Sequence, residues 1–92
     1  MVMSWRVEIP KSTVRELDEL PDRIWRDAME AIAALKDDPF PPDAQELRGY
    51  PNFYKTRFYR GQYRLIYYVS EKQRRVVIVR ARPRGTAYIG FE

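Results

Sequence analysis

Residues 53–88 read FYKTRFYRGQYRLIYYVSEKQRRVVIVRARPRGTAY, and the alternation inside this stretch decides the fold. Tyr54, Thr56 and Phe58 alternate with Lys55, Arg57 and Tyr59, the period-two pattern of a strand with one buried face. Gly61-Gln62 interrupts the pattern, and residues 63–69 continue it as a second strand. Glycine at the first central position of a two-residue loop suits a type II′ turn, which predicts Arg60 opposite Tyr63, Tyr59 opposite Arg64 and Arg57 opposite Ile66. Directly opposed residues share a face, so Lys55, Arg57 and Arg64 emerge on one side. Tyr54, Thr56, Phe58, Leu65, Tyr67 and Val69 then form the other side, an apolar surface expected to pack on helices. Val76-Val77-Ile78-Val79 is too uniformly apolar for an edge strand and reads as a central one. Arg80, Arg82 and Arg84 follow at alternate positions, ahead of Tyr88, so the end of this strand delivers cations and an aromatic ring toward the hairpin's patch.

The charge is split along the chain. Residues 1–47 carry six Lys/Arg against eleven Asp/Glu, a net −5, and residues 48–92 carry eleven Lys/Arg against Glu71 and Glu92, a net +9. A modest total of +4 therefore hides a dipolar protein. Positive charge concentrated on one half points to a polyanionic ligand, most economically nucleic acid.

The N-terminal half reads as scaffold for that surface. Trp5, Val7 and Ile9 alternate with Arg6 and Glu8, a half-buried strand that Pro10 ends. Thr13 and Glu16 have the spacing of a capping box, and Val14, Leu17 and Leu20 recur on one face of a short first helix ending near Leu20. Pro21 is tolerated in a helix's first turn but not inside one, so a second helix starts there and runs to about Lys36. Its stripe is Ile24, Ala28, Ile32 and Leu35, with Trp25 and Met29 beside it and Trp25 expected in the core. Pro39, Pro41 and Pro42 make residues 37–45 an extended linker, whose acids Asp37, Asp38 and Asp43 are expected to be solvated. The expected architecture is α+β: an N-terminal strand, a two-helix hairpin and an antiparallel sheet of about four strands with the helices on one face.

Composition excludes several chemistries. Ninety-two residues make a single domain, residues 1–92. There is no cysteine, which removes disulfides and thiolate sites, and no histidine, which removes the commonest acid–base group, His-based triads and most zinc sites. The isolated loop acids lack the convergent carboxylates of a two-metal nuclease, so neither metal nor cofactor is expected. No apolar run of 18 residues and no charged leader before an apolar segment is present, which predicts a cytoplasmic protein without a membrane partner.

The segment LRGYPNFYKTRFYRGQYRLIYYV at residues 47–69, followed by a strand and an Arg-x-Arg-x-x-x-Tyr ending from Arg82 to Tyr88, resembles the RelE branch of the RelE/ParE toxin superfamily. The resemblance extends over nearly the whole chain in element order and spacing. It implies a RelE/ParE-like fold and the toxin of a type II toxin–antitoxin module: a ribosome-dependent, metal-independent endoribonuclease that cuts messenger RNA in the A site by 2′-hydroxyl attack. It also implies a cognate antitoxin as partner, alongside the ribosome and its messenger. By position, Lys55, Arg57, Arg64, Arg82 and Tyr88 match the family's functional set, with Arg64 and Arg82 assigned to the scissile phosphate and Arg82 nearest a leaving-group role. Well-known relatives have lysine where Arg57 stands. Arginine keeps its proton and is a poor base, so the base role falls to Lys55 or Tyr88. Arg48, Arg60, Arg80 and Arg84 are the candidates for further RNA contacts. Two other readings remain from the sequence: a ParE-like inhibitor of DNA gyrase without nuclease chemistry, and an inactive relative retained to bind an antitoxin.

Overall fold

A computed structural model describes residues 4–91. The elements run β1 (Arg6–Glu8), α1 (Lys11–Asp18), α2 (Asp22–Asp37), β2 (Gln45–Glu46), β3 (Phe53–Phe58), β4 (Tyr63–Ser70) and β5 (Arg75–Pro83). They form one five-stranded sheet in the order β1-β5-β4-β3-β2. The β2–β3, β3–β4 and β4–β5 pairs are antiparallel, and β1 joins β5 in parallel, so the sheet is mixed. The apolar run 76–79 lies, as its composition demands, in a strand flanked on both sides.

The core sits between one sheet face and the two helices. Phe58, Leu65, Tyr67, Val69, Val76, Ile78 and Ala81 meet Trp5, Leu17, Ala28, Ile32 and Leu35 there. The α2 stripe is the one its 3.6-residue spacing dictates. Two apolar residues depart from expectation: Val14 is 40% exposed and Trp25 41% exposed. Trp25 follows Ile24 by one residue, about 100° around the helix, which takes it off the buried stripe.

The Thr13–Glu16 spacing is also not a capping box. Pro10 occupies the N-cap of α1 and Thr13 lies inside the helix. β1 covers β5 only as far as Val77, and α1 covers the edge beyond it. The fully buried Thr13 donates its hydroxyl to the Ile78 carbonyl (2.7 Å), and Glu16 Oε1 accepts the Ala81 N–H (2.9 Å). A helix thus satisfies backbone groups that a sixth strand would otherwise pair with.

The hairpin differs from the expected register. Phe58 stands opposite Tyr63 and Arg57 opposite Arg64, so the loop is four residues long, Tyr59 to Gln62. Tyr59, Arg60 and Gly61 all have positive φ, and the Asp27 carboxylate of α2 accepts the Tyr59 N–H. The shift from the two-residue register preserves side-chain parity, and for that reason the division into faces survives it.

A bulge decides the face of the later arginines. Ile66 pairs with Arg80 but Tyr67 pairs with Ile78, leaving Val79 as an extra residue on β5. Val76 and Ile78 point to the helices. Without the bulge, strict alternation would send Arg80 and Arg82 there too. With it, Ala81 turns inward, and Arg82 stands opposite Arg64 on the far side.

Candidate active site

The face away from the helices is built on a small second core. Leu47, Ile66 and Ala87 are buried together, with Tyr50, Phe53, Val79, Tyr88 and Phe91 packed around them. Arg80 fastens the C-terminal segment to this face: its guanidinium donates to the Ala87 carbonyl (3.0 Å) and to the Ile89 carbonyl, and lies 4.5 Å from the Phe91 ring centroid. Ala87 is fully buried, so its neighbour Tyr88 is held at the rim, over β3 and β4.

Four of the five expected residues come together there, and two of them touch Tyr88 directly. Arg64 Nε donates to Tyr88 Oη at 3.1 Å, and the Lys55 ammonium sits 5.0 Å from the Tyr88 ring centroid. Arg64 also donates to the Gly61 and Tyr63 carbonyls (2.7 and 3.1 Å), which fixes its plane. Lys55, Arg57, Arg64 and Tyr88 line one shallow depression together with Asp43, Gln45 and Thr56. Among the described residues, neither Lys55 nor Arg64 has a carboxylate within salt-bridge distance.

Arg57 and Arg82 are each drawn aside by an acid. Arg57 Nε lies 3.9 Å from Asp43, whose carboxylate also accepts the Thr56 hydroxyl (2.8 Å) and the Arg57 N–H (2.9 Å). Burial works against the charge of Asp43. The Arg57 N–H and Thr56 hydroxyl outweigh it, and the carboxyl is held below its ordinary range. Arg82 donates from Nε to Glu16 Oε2 at 2.5 Å and lines a separate groove with Glu16, Glu19 and Tyr63. Of the further cations, Arg48 and Arg84 are exposed, Arg60 sits on the hairpin loop beside the Tyr59 ring, and Arg80 is occupied with the tail. Asp43, expected to be a solvated linker acid, is instead hydrogen-bonded to Thr56 and Arg57 at the depression, and Gln45 carries no signal in the sequence. A signal for Asp43 existed only in the β2–β3 pairing, which places Gln45 opposite Lys55.

No family model matches the chain. RelE1 of Methanocaldococcus jannaschii is 32% identical over 89 residues, covering 94% of this chain and 97% of that protein. The chain belongs to the RelE toxin family. Solved RelE structures agree. The RelE–RelB complex of Pyrococcus horikoshii is 34% identical with a TM-score of 0.74, over 92% of this chain and all of that one. The RelBE2 complex of Mycobacterium tuberculosis is 29% identical with a TM-score of 0.75, over 88% of this chain and 99% of that one. An Escherichia coli RelE variant in the free state, at 19% identity and TM-score 0.78, shares the fold. The RelE-type sheet here carries Lys55, Arg57 and Arg64 on the surface opposite α1 and α2. Among the described residues no group of three or more acidic, histidine or cysteine side chains is placed to hold a metal ion, and no helix is long and apolar enough to cross a membrane.

Proposed function

We propose that this RelE-family toxin is an endoribonuclease that cuts ribosome-bound messenger RNA in the A site, and that a cognate antitoxin restrains it. The observation that carries the reading is the convergence of Lys55, Arg64 and Tyr88 beside Arg57 in one open depression. The 2′-oxygen attacks the adjacent phosphorus as its proton leaves to a base. The P–O5′ bond breaks, the 5′-oxygen gains a proton, and the products are a 2′,3′-cyclic phosphate and a free 5′-hydroxyl. Fixed cations stabilise the phosphorane charge directly. Arg64, held by three acceptors, is pre-oriented for that task, and the Tyr88 ring offers a surface on which a base stacks. Lys55 or Tyr88 takes the 2′ proton, and Arg82 serves the leaving group once it faces the site. The depression is shallow and carries no strong acid–base pair, so an external template must supply the substrate geometry, which is what a ribosomal A site provides. The P. horikoshii and M. tuberculosis relatives were solved as complexes with antitoxins, which supports an antitoxin as the protein partner here.

Primer extension on messenger in a reconstituted translation reaction tests this, with and without ribosomes, for wild type and Arg64→Ala. Cuts that require both the ribosome and Arg64 are expected. An intact messenger in every lane, together with inhibition of supercoiling by the purified protein, would replace the reading with gyrase inhibition.

A further inference from the structure

Arg82 is the member of the expected set that the structure does not bring to the depression. Its backbone register places it directly opposite Arg64, itself opposite Arg57, so three arginines stand in one row across β3, β4 and β5. Directly opposed side chains on neighbouring strands share a face at about 5 Å, and like charges there repel. The Val79 bulge turns Arg82 toward that face, yet its guanidinium reaches back over the β5 edge to Glu16 on α1. Glu16 is well placed to hold it. One carboxylate oxygen is fixed by the Ala81 N–H, and the other faces Arg82 Nε. The acid is therefore anchored to the backbone of the residue preceding its partner, and it stays in place when the Arg82 guanidinium leaves.

We propose that Glu16 is a positioning residue that parks Arg82 outside the cleavage site, and that binding of the messenger phosphate transfers the guanidinium from Glu16 to the Arg64 side. The inference rests on the ribonuclease reading above. Transfer needs side-chain rotation alone, because the Cα of Arg82 already lies beside Arg64. The parked state lowers the fraction of competent toxin, and apparent affinity falls by that fraction. Glu16→Gln keeps an oxygen for the Ala81 N–H while removing the charge that retains Arg82. It is expected to raise kcat/KM for cleavage on programmed ribosomes by roughly two- to fivefold, the factor a partly exposed ion pair exerts on an equilibrium, while thermal stability stays equal or falls. Structural damage would lower both.

Removing any acid from this surface attracts RNA somewhat, so two controls separate parking from net charge. Glu19→Gln, on the same groove, should raise kcat/KM much less. The affinity gain of Glu16→Gln for ribosomes carrying a 2′-deoxy messenger in the A site should vanish in an Arg82→Ala background, a measurement that needs no cleavage. A fall in kcat/KM for Glu16→Gln, or an equal affinity gain with and without Arg82, would overturn the parking of Arg82. A wild type that leaves the messenger uncut would refute the ribonuclease reading itself and take the latch with it. A wild type that cuts normally beside an unaccelerated Glu16→Gln would remove the latch alone.

Discussion

Thr13→Val tests whether α1 truly replaces a strand at the β5 edge. The substitution keeps the shape of a fully buried side chain and deletes one donor. The Ile78 carbonyl that accepts it at 2.7 Å lies just past Val77, the last residue that β1 pairs. No strand neighbour stands ready to take over, and water is kept out by Thr13 itself. A buried acceptor left without a partner costs about 1–3 kcal/mol. In a domain of this length each kcal/mol moves the midpoint of thermal unfolding by roughly 4–8 °C, so a fall of about 5–20 °C is expected by differential scanning calorimetry. The loss also bears on function, because α1 keeps the end of β5 in place and with it the alignment of Arg82 with Arg64. A Thr13→Val protein within about 0.5 kcal/mol of wild type would refute the edge-covering role, since that is the spread of substitutions touching nothing important.

Other expectations follow from the acids and tyrosines. Asp43 is held below its ordinary value of 3.8, so the stability it adds is present above that pH and lost as pH falls through its folded value. The gap between wild type and Asp43→Asn in urea unfolding should therefore close on acidification, and a gap that persists far below that pH would show that charge is not its origin. Tyr67, buried and donating to the Pro39 carbonyl, has its ionisation pushed well above the usual 10.0, first by burial and then by nearby Asp43. The unfolded chain ionises first, so wild-type stability should decline above about pH 10. Tyr67→Phe should be the less stable protein at neutral pH, with the difference narrowing in alkali. Tyr88→Phe keeps the ring beside Lys55 but removes the acceptor of Arg64 Nε. Cleavage in the primer-extension assay should fall about ten- to hundredfold, the range for a hydrogen bond to a charged group, with the circular dichroism spectrum unchanged.

The strands and the cationic face were legible because period-two patterning is a local property and survives errors of register. The hairpin illustrates this: its loop has four residues rather than two, yet Lys55, Arg57 and Arg64 share a face in either register. What could not be read were features whose partners lie far away in sequence. Thr13 bonds Ile78 and Glu16 bonds Ala81, 65 residues on in both cases, and the local spacing of the two residues imitates a helix cap. The bulge at Val79 leaves no mark in a run of four β-branched residues, although it alone decides on which face Arg80 and Arg82 emerge. Asp43 sits among prolines in a segment with no periodicity. Its partners Thr56 and Arg57 become neighbours only once β2 pairs with β3.

The unequal division of charge between the two halves of the chain acquires a structural meaning at the sheet edges. Each of the three ion pairs among the described residues joins an acid of the first 47 residues to an arginine of the remainder: Glu8 with Arg75, Glu16 with Arg82 and Asp43 with Arg57. All are partly exposed, so none contributes much stability. Their effect is directional. Arg57, Arg64 and Arg82 stand side by side in the sheet, an arrangement that like-charge repulsion opposes. Asp43 draws Arg57 toward one flank and Glu16 draws Arg82 toward the other, and the central Arg64 is left facing uncharged acceptors alone. The row is thereby tolerated in the folded sheet. If the proposed ribonuclease reading holds, a phosphate placed over the centre would offer all three arginines a common anion, and the same repulsion that the acids relieve would then favour its binding at that point of the sheet.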